Sequence, residues 1–204
     1  MLNSNARDRF RCHAILLAAG RGRRFDPAGQ ISKLHQILHN EVSVIEQSAS
    51  RLSSVIPQCH IVTRSAGDWP TNFLQRFSAS MIVCEDADHG MAHSLVCAVQ
   101  ALPESCDAVL IALADMPFVE VATIERLVHS LQNGAQIAVP VYQGQRGNPV
   151  GFSREMFGEL QQLRGDQGAR SLLKIYTVSE VVVDDAGILR DIDTPADLSG
   201  VHAV

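Results

Sequence analysis

Apolar residues along the chain fall into two patterns, and the alternation between them predicts the architecture. Short unbroken runs, Ala14-Ile-Leu-Leu-Ala-Ala19 and Ala108-Val-Leu-Ile-Ala-Leu-Ala114, read as strands buried on both faces. Further strands are predicted at Cys59–Thr63, Ser80–Cys84, Ile137–Val141 and Glu180–Val183. Between them apolar residues recur at helical spacing: Val44, Ile45, Ala49 and Leu52; then Leu95, Val96, Val99 and Leu102; and across Val121–Leu131, with a further helix near Thr71–Phe77. Strands alternating with helices predict βαβ units and a mainly parallel sheet, an α/β single-domain three-layer Rossmann-like sandwich. No internal repeat or low-complexity stretch interrupts the series.

With 204 residues, the chain suits one sizeable core and is short for two domains and a linker. Residues 1–12 read as a disordered or extended start and 13–204 as the domain. A formal net charge of −5 argues against a nucleic-acid binder held by the phosphate backbone, so the arginines near residue 20 mark a site and not a general field. The five cysteines are odd in number and scattered, without a Cys-x-x-Cys pair, as in reduced, mostly buried thiols. Met1–Arg11 lacks an apolar signal core and no stretch approaches membrane-spanning length, so a cytoplasmic protein is expected.

The chemistry gathers where apolar runs stop. The first ends in Gly20-Arg-Gly-Arg-Arg-Phe25, where small residues let backbone N–H groups approach an anion and guanidiniums supply bidentate charge. Neither a Walker loop nor a dinucleotide fingerprint is present. Asp26-Pro-Ala-Gly-Gln-Ile-Ser32 reads as a flexible excursion before Lys33. In Glu85–Leu95, Gly90 and Ser94 open a helix whose N-terminus can meet polar ligand atoms. His89 and His93 are four apart but lack an adjacent third ligand, which disfavours a metal pair. Asp115 ends the second apolar run, either as a turn residue before Pro117 or as a ligand for a hard cation facing the first loop. Gln143–Phe152 reads as a glycine-rich turn between two strands. Arg164–Leu173 reads as a capped helix start with Asp166 near its beginning, and Arg170 is either a surface residue or an acceptor-phosphate ligand. In Asp191-Ile-Asp-Thr-Pro-Ala-Asp197, Thr194 can cap a helix that starts at Pro195, leaving Asp191 and Asp193 on one face if the segment is extended.

These segments, in this order from Ala14 to Leu198, resemble the MobA-like nucleoside-triphosphate transferases. Leu17-Ala-Ala-Gly20 with Arg21, Gly22, Arg24, Phe25 and Lys33 resembles the loop that wraps the triphosphate there. Lys33 stands further along than is usual, with Asp26 where a glycine is common. Gly90, Met91, Ser94 and Leu95 match the segment lining base and ribose. Ala114-Asp-Met-Pro117 resembles an element whose aspartate coordinates Mg2+, with Ala114 replacing a glycine, and Asp193 matches the second Mg2+ ligand. The resemblance is greatest to molybdenum cofactor cytidylyltransferases. It implies nucleotide binding by Leu17, Ala18, Ala19, Gly20, Arg21, Gly22, Lys33, Gly90 and Ser94, catalysis by Arg21, Arg24, Lys33 and Asp115, and Mg2+ on Asp115 and Asp193. The implied substrates are CTP, or GTP, and a molybdopterin-type acceptor, with transient contact to a molybdoenzyme or chaperone. A different nucleotide or acceptor, a non-catalytic cofactor carrier and a nucleotide sensor are the alternatives.

Overall fold

The computed structural model describes residues 10–39, 41–69, 71–165 and 168–199. Most of the expected extended start, and Asp166, lie outside them; Cys12 is already in a strand. The strands are β1 (Cys12–Leu17), β2 (Cys59–Thr63), β3 (Ala79–Val83), β4 (Ala108–Leu113), β5 (Ile137–Tyr142), β6 (Gln145–Arg146), β7 (Val150–Ser153) and β8 (Val178–Val182). The helices are α1 (Val44–Val55), α2 (Thr71–Arg76), α3 (Met91–Gln100), α4 (Val121–Gln132), α5 (Phe157–Gln161), α6 (Leu172–Ile175) and α7 (Pro195–Ser199).

One sheet runs β3-β2-β1-β4-β7-β5, and β6 and β8 both pair with β5. β1 lies parallel between β2 and β4, in the register Leu17↔Val62 and Leu17↔Leu113, so the three strands end together. β7 runs antiparallel between β4 and β5, which makes the sheet mixed but mostly parallel. The glycine-rich turn divides into two parts. Gln143 and Gly144 both adopt positive φ (48° and 79°), the mirror-turn geometry of a two-residue hairpin, and so fold β6 back onto β5 before the chain continues into β7.

The apolar runs are covered on both faces, as their composition requires. Ala14 and Leu16 of β1 and Leu110 of β4 enter one core with α1 and α4, whose contributions include Ile45, Leu52, Ile124 and Leu127. Ile15, Val109 and Phe152 point the other way, against Leu95 and Val99 of α3 and Leu160 of α5. Three layers follow from this two-sided burial.

Helix ends are secured by identifiable groups. At α1 the Ser43 hydroxyl accepts from the Glu46 N–H at 3.3 Å while Glu46 accepts from the Ser43 N–H at 3.0 Å, a capping box. Glu120 does not cap α4 itself. Asp185, 3% exposed, accepts from the Glu120 N–H (2.8 Å), the Thr123 hydroxyl (2.7 Å) and the Gly187 N–H (2.8 Å), joining that end to the segment that leads to residue 193.

Candidate active site

The carboxyl ends of β1 and β4 open on a cavity of about 490 Å³, lined among others by Ala19, Arg21, Lys33, Gly90, Ser94 and Asp115. Open parallel sheets hold ligands at this end of their strands. Leu17, Ala18 and Gly20 also line it; Gly22, Arg24 and Asp193 do not.

The loop after β1 is held at both ends. Ala18 donates to the Val62 carbonyl at 2.9 Å, and Phe25 is buried among the α1-side core residues. Gly22 takes φ +61°, and its carbonyl accepts from Phe25 (2.9 Å) and Asp26 (3.0 Å), closing a turn that glycine permits without strain. Asp26 changes the picture of residues 26–32 as a flexible excursion. Its carboxylate accepts from the N–H groups of Ala28 (3.0 Å), Gln30 (2.6 Å) and Ile31 (2.7 Å), so the longer loop is tied to its own first residue. These bonds, led by that from Ile31, hold the Asp26 carboxyl below the usual carboxylate range.

The tied loop delivers Lys33 inward. Its side chain is 10% exposed, and its ammonium donates to Asp115 Oδ2 at 2.7 Å and to Asp193 Oδ1 at 2.8 Å. Burial alone would lower the lysine pKa, but the two carboxylates outweigh it and the net shift is upward. Arg24 Nη1 lies 2.5 Å from the other Asp193 oxygen, with its own side chain mostly in solvent. Burial pushes Asp193 up, yet Lys33 and Arg24 bring it below the ordinary value. Asp191 is raised by burial and then by the charges of Asp193 and Asp115.

Backbone contacts set Asp115 and Asp193 together. The Ile192 N–H donates to the Asp115 carbonyl at 2.8 Å, and Ile192 itself is 1% exposed. The buried Ser48 hydroxyl of α1 donates to the Ala114 carbonyl at 2.9 Å, fixing the end of β4. At the start of α7, Asp197 Oδ2 reaches back to accept from the N–H groups of Asp193 (3.0 Å) and Thr194 (2.6 Å) and from the Thr194 hydroxyl (2.9 Å), the reciprocal half of a capping box, so the Thr194 hydroxyl acts here as a donor.

Across the cavity, Gly90 (φ 112°) precedes α3, and Ser94 is buried in its first turn. One of the α3 N-terminal donors is already used: Ala92 N–H bonds the Gly165 carbonyl at 3.1 Å. Arg21 forms a bidentate pair with Asp88, its Nε 2.6 Å from Oδ1. Nothing in the sequence signals the Asp88 pairing, the loop-holding bonds of Asp26 or the Ile192 contact; an acidic residue after β3 is visible, its partner is not. Arg170 is exposed in a 3-10 turn over Gly168–Ser171. Among the described residues no three His, Cys, Asp or Glu side chains group as a metal site, and the two carboxylates brought together at the site, Asp115 and Asp193, share the Lys33 ammonium.

Comparison with known proteins places these features in a family. The model of the MobA-like NTP transferase domain matches residues 14–181. The chain is 33% identical over 201 residues to the purine catabolism protein PucB of Bacillus subtilis (strain 168), covering 92% of this chain and 94% of that one. The Rv0371c protein of Mycobacterium tuberculosis H37Rv, in complex with manganese, superposes with a TM-score of 0.71 at 25% identity, over 94% of this chain and 97% of that one. The molybdopterin-guanine dinucleotide biosynthesis protein A of Archaeoglobus fulgidus shares the fold, with a TM-score of 0.68 at 20% identity over 92% and 95% of the two chains. No described helix is long and apolar enough to cross a membrane. With the loop after β1, the Asp115 strand end and the Asp193 segment meeting at Lys33, the chain belongs to the MobA-like NTP transferase family, a family of nucleotidyltransferases.

Proposed function

We propose that the protein transfers CMP from CTP to the terminal phosphate of a molybdopterin-type acceptor and releases pyrophosphate. The observation that carries this reading is the Lys33 ammonium held between Asp115 and Asp193 beside a cavity walled by Ala18, Ala19 and Gly20. An oxygen of the acceptor phosphate attacks the α-phosphorus of CTP. The bond from that phosphorus to its bridging oxygen breaks, pyrophosphate leaves with the electron pair, and a phosphoanhydride joins CMP to the acceptor. A phosphate oxygen is already anionic at neutral pH, so no side-chain nucleophile or partnered base is required. The protein's task is positioning and charge neutralisation.

Ala19 and Gly20 offer close backbone approach to the phosphates beside Ala18, whose own N–H is held by Val62, and Arg21 and Lys33 neutralise the β and γ phosphates and then the leaving pyrophosphate. Arg24, paired with Asp193 from a mostly exposed position, would exchange that carboxylate for a phosphate of the nucleotide. Gly90 and Ser94 face the cavity from the other side and suit the base and ribose.

Mg2+ fits the donor set. Asp115 and Asp193 present carboxylate oxygens to one another across Lys33, and with Asp191 the three carboxylates outnumber the two cations, Lys33 and Arg24, that pair with them. Hard cations with oxygen ligands suit such a site, and the Rv0371c protein has been crystallised with manganese. Held by Asp115 and Asp193, the ion would supply positive charge shared by the α-phosphate and the attacking oxygen.

The choice of CTP and of the acceptor rests on Ala18-Ala19-Gly20, Ala114-Asp115-Met116-Pro117 and Asp193-Thr194-Pro195 together. A pyrophosphate-release assay with each of the four NTPs, with and without molybdopterin and Mg2+, tests it. The reading expects release from CTP that requires both acceptor and metal. Release from GTP in preference to CTP would overturn the base, and no release with any NTP would favour a carrier or sensor.

A further inference from the structure

The Arg21–Asp88 pair spans the mouth of the cavity, from the loop after β1 to the turn that precedes Gly90. It is bidentate and about half exposed on both sides, and Arg21, Arg23 and Asp88 all line the cavity. Arg64 belongs to the same place. Ala18 N–H bonds the Val62 carbonyl at 2.9 Å and Cys84 N–H bonds the Thr63 carbonyl at 2.8 Å, so the residue after Thr63 leaves the sheet between the arginine loop and the Asp88 turn. Arg21 thus pairs with Asp88 directly, Arg23 lines the same cavity, and Arg64 leaves the sheet beside them without lining it. The Asp88 carboxyl is held below the ordinary range by Arg21 first, with Arg64 and Arg23 adding to the effect.

Arg21, Arg23 and Arg64 bring three guanidiniums toward the turn that carries Asp88, with Glu85 and Asp86 beside it, at a position where the loop leaves backbone N–H groups accessible to a polyanion. The geometry points to Asp88 as the site's own counter-anion, displaced when the polyphosphate tail of a nucleoside triphosphate enters, and to Arg64 as a third guanidinium that receives that tail. This rests on the triphosphate reading above and adds to it a pair of residues that set affinity for the tail. Asp88 keeps Arg21 aimed across the cavity when no nucleotide is bound. It also competes with the ligand, so ligands with one phosphate gain least from its removal and those with three gain most. Because the groups are half exposed, the competition weakens as salt rises.

The test measures binding of CTP, inorganic tripolyphosphate and CMP to the full chain by calorimetry, for the wild type, Asp88→Asn and Arg64→Gln. Asp88→Asn should bind CTP and tripolyphosphate roughly three- to fivefold more tightly at low salt, the scale of one half-exposed ion pair. Arg64→Gln should bind both more weakly by a similar factor, and CMP should change little with either variant. Unchanged or weaker tripolyphosphate binding by Asp88→Asn overturns the counter-anion role, as does equal tightening for CMP, which would indicate a general charge effect. Undiminished tripolyphosphate binding by Arg64→Gln overturns the role of Arg64. A wild type that binds CMP, CTP and tripolyphosphate alike overturns this inference and leaves a nucleotide site standing. One that binds none of them overturns the triphosphate reading as well.

Discussion

The Ile192 N–H donates to the Asp115 carbonyl at 2.8 Å, and through that bond the last acidic segment is laid against the end of β4. Buried Ile192 anchors the contact, while the residues on either side of it, Asp191 and Asp193, stay at the site. The convergence of Asp115 and Asp193 on Lys33 is therefore built into the backbone, with the ammonium completing it.

Removing that ammonium should be costly. In Lys33→Met the two carboxylates lose their shared donor in a partly enclosed position, and breaking a pair of this kind costs about 3 kcal/mol. The Lys33→Met/Asp115→Asn double variant should recover part of the loss, because the groups are directly coupled. Guanidinium unfolding midpoints of the three proteins check this. A single variant as stable as the wild type would show that the pairing adds nothing to the folded state.

Asp26 should act on ligand affinity more than on stability. Asp26→Ala frees three backbone N–H groups in an exposed turn, so the thermal midpoint should hardly move, while the loop that delivers Lys33 loosens. Nucleotide KM is expected to rise several-fold. A large fall in thermal midpoint with unchanged KM would contradict this division.

Gly147 marks a close approach between the β6–β7 connection and the residue 186–193 segment. A Cβ there would stand 2.3 Å from the Ile188 carbonyl oxygen, which also accepts from Asn148 N–H at 3.0 Å. Gly147→Ala must push that backbone away, at about 1–3 kcal/mol, and shift Asp193 with it. Loss of both stability and turnover is expected, measured by thermal unfolding and pyrophosphate release. Unimpaired turnover would separate the Ile188 contact from the site.

A pH effect on stability should come from the far end of the sheet. His13 Nδ1 lies 2.9 Å from His60 Nε2, and His60 Nδ1 lies 2.6 Å from the Ser80 hydroxyl. Burial, with Arg11 beside His13 and His13 beside His60, lowers both pKa values below the ordinary 6.5. Above about 6.5 both imidazoles are neutral in either state and this contribution is fully present. As pH falls below it, the unfolded chain takes up protons first, so stability declines until the folded values are passed, by at most about 1.4 kcal/mol per pH unit per histidine. Denaturant midpoints at pH 7.5 and 5.5 should differ more for the wild type than for His13→Asn/His60→Gln. Equal differences would place the proton uptake elsewhere.

The layers of the fold were legible in the chain because strands covered on both faces must be unbroken apolar runs, and Ile15 and Leu16 carry that requirement in adjacent positions. The cavity wall from Leu17 to Gly20 and Ser94 was legible for a related reason, since loops at strand ends keep small and polar residues. Which carboxylate meets which cation was not. Arg21 has several acidic residues within reach in sequence terms, and its pairing with Asp88 depends on β2 and β3 bringing the second wall alongside. The inward aim of Lys33 depends on a turn held by Asp26, whose partners are backbone groups that carry no sequence signal. The start of α4 is likewise secured by Asp185 from a distant segment.

Turnover of Asp115→Asn, measured as Mg2+-dependent pyrophosphate release from CTP with molybdopterin, tests the central claim most directly. Asparagine keeps the shape of the side chain, so the fold should remain, and loss of a preorganised charge at the reacting phosphates should lower turnover at least ~100-fold. A folded Asp115→Asn protein with near-wild-type turnover would contradict the account.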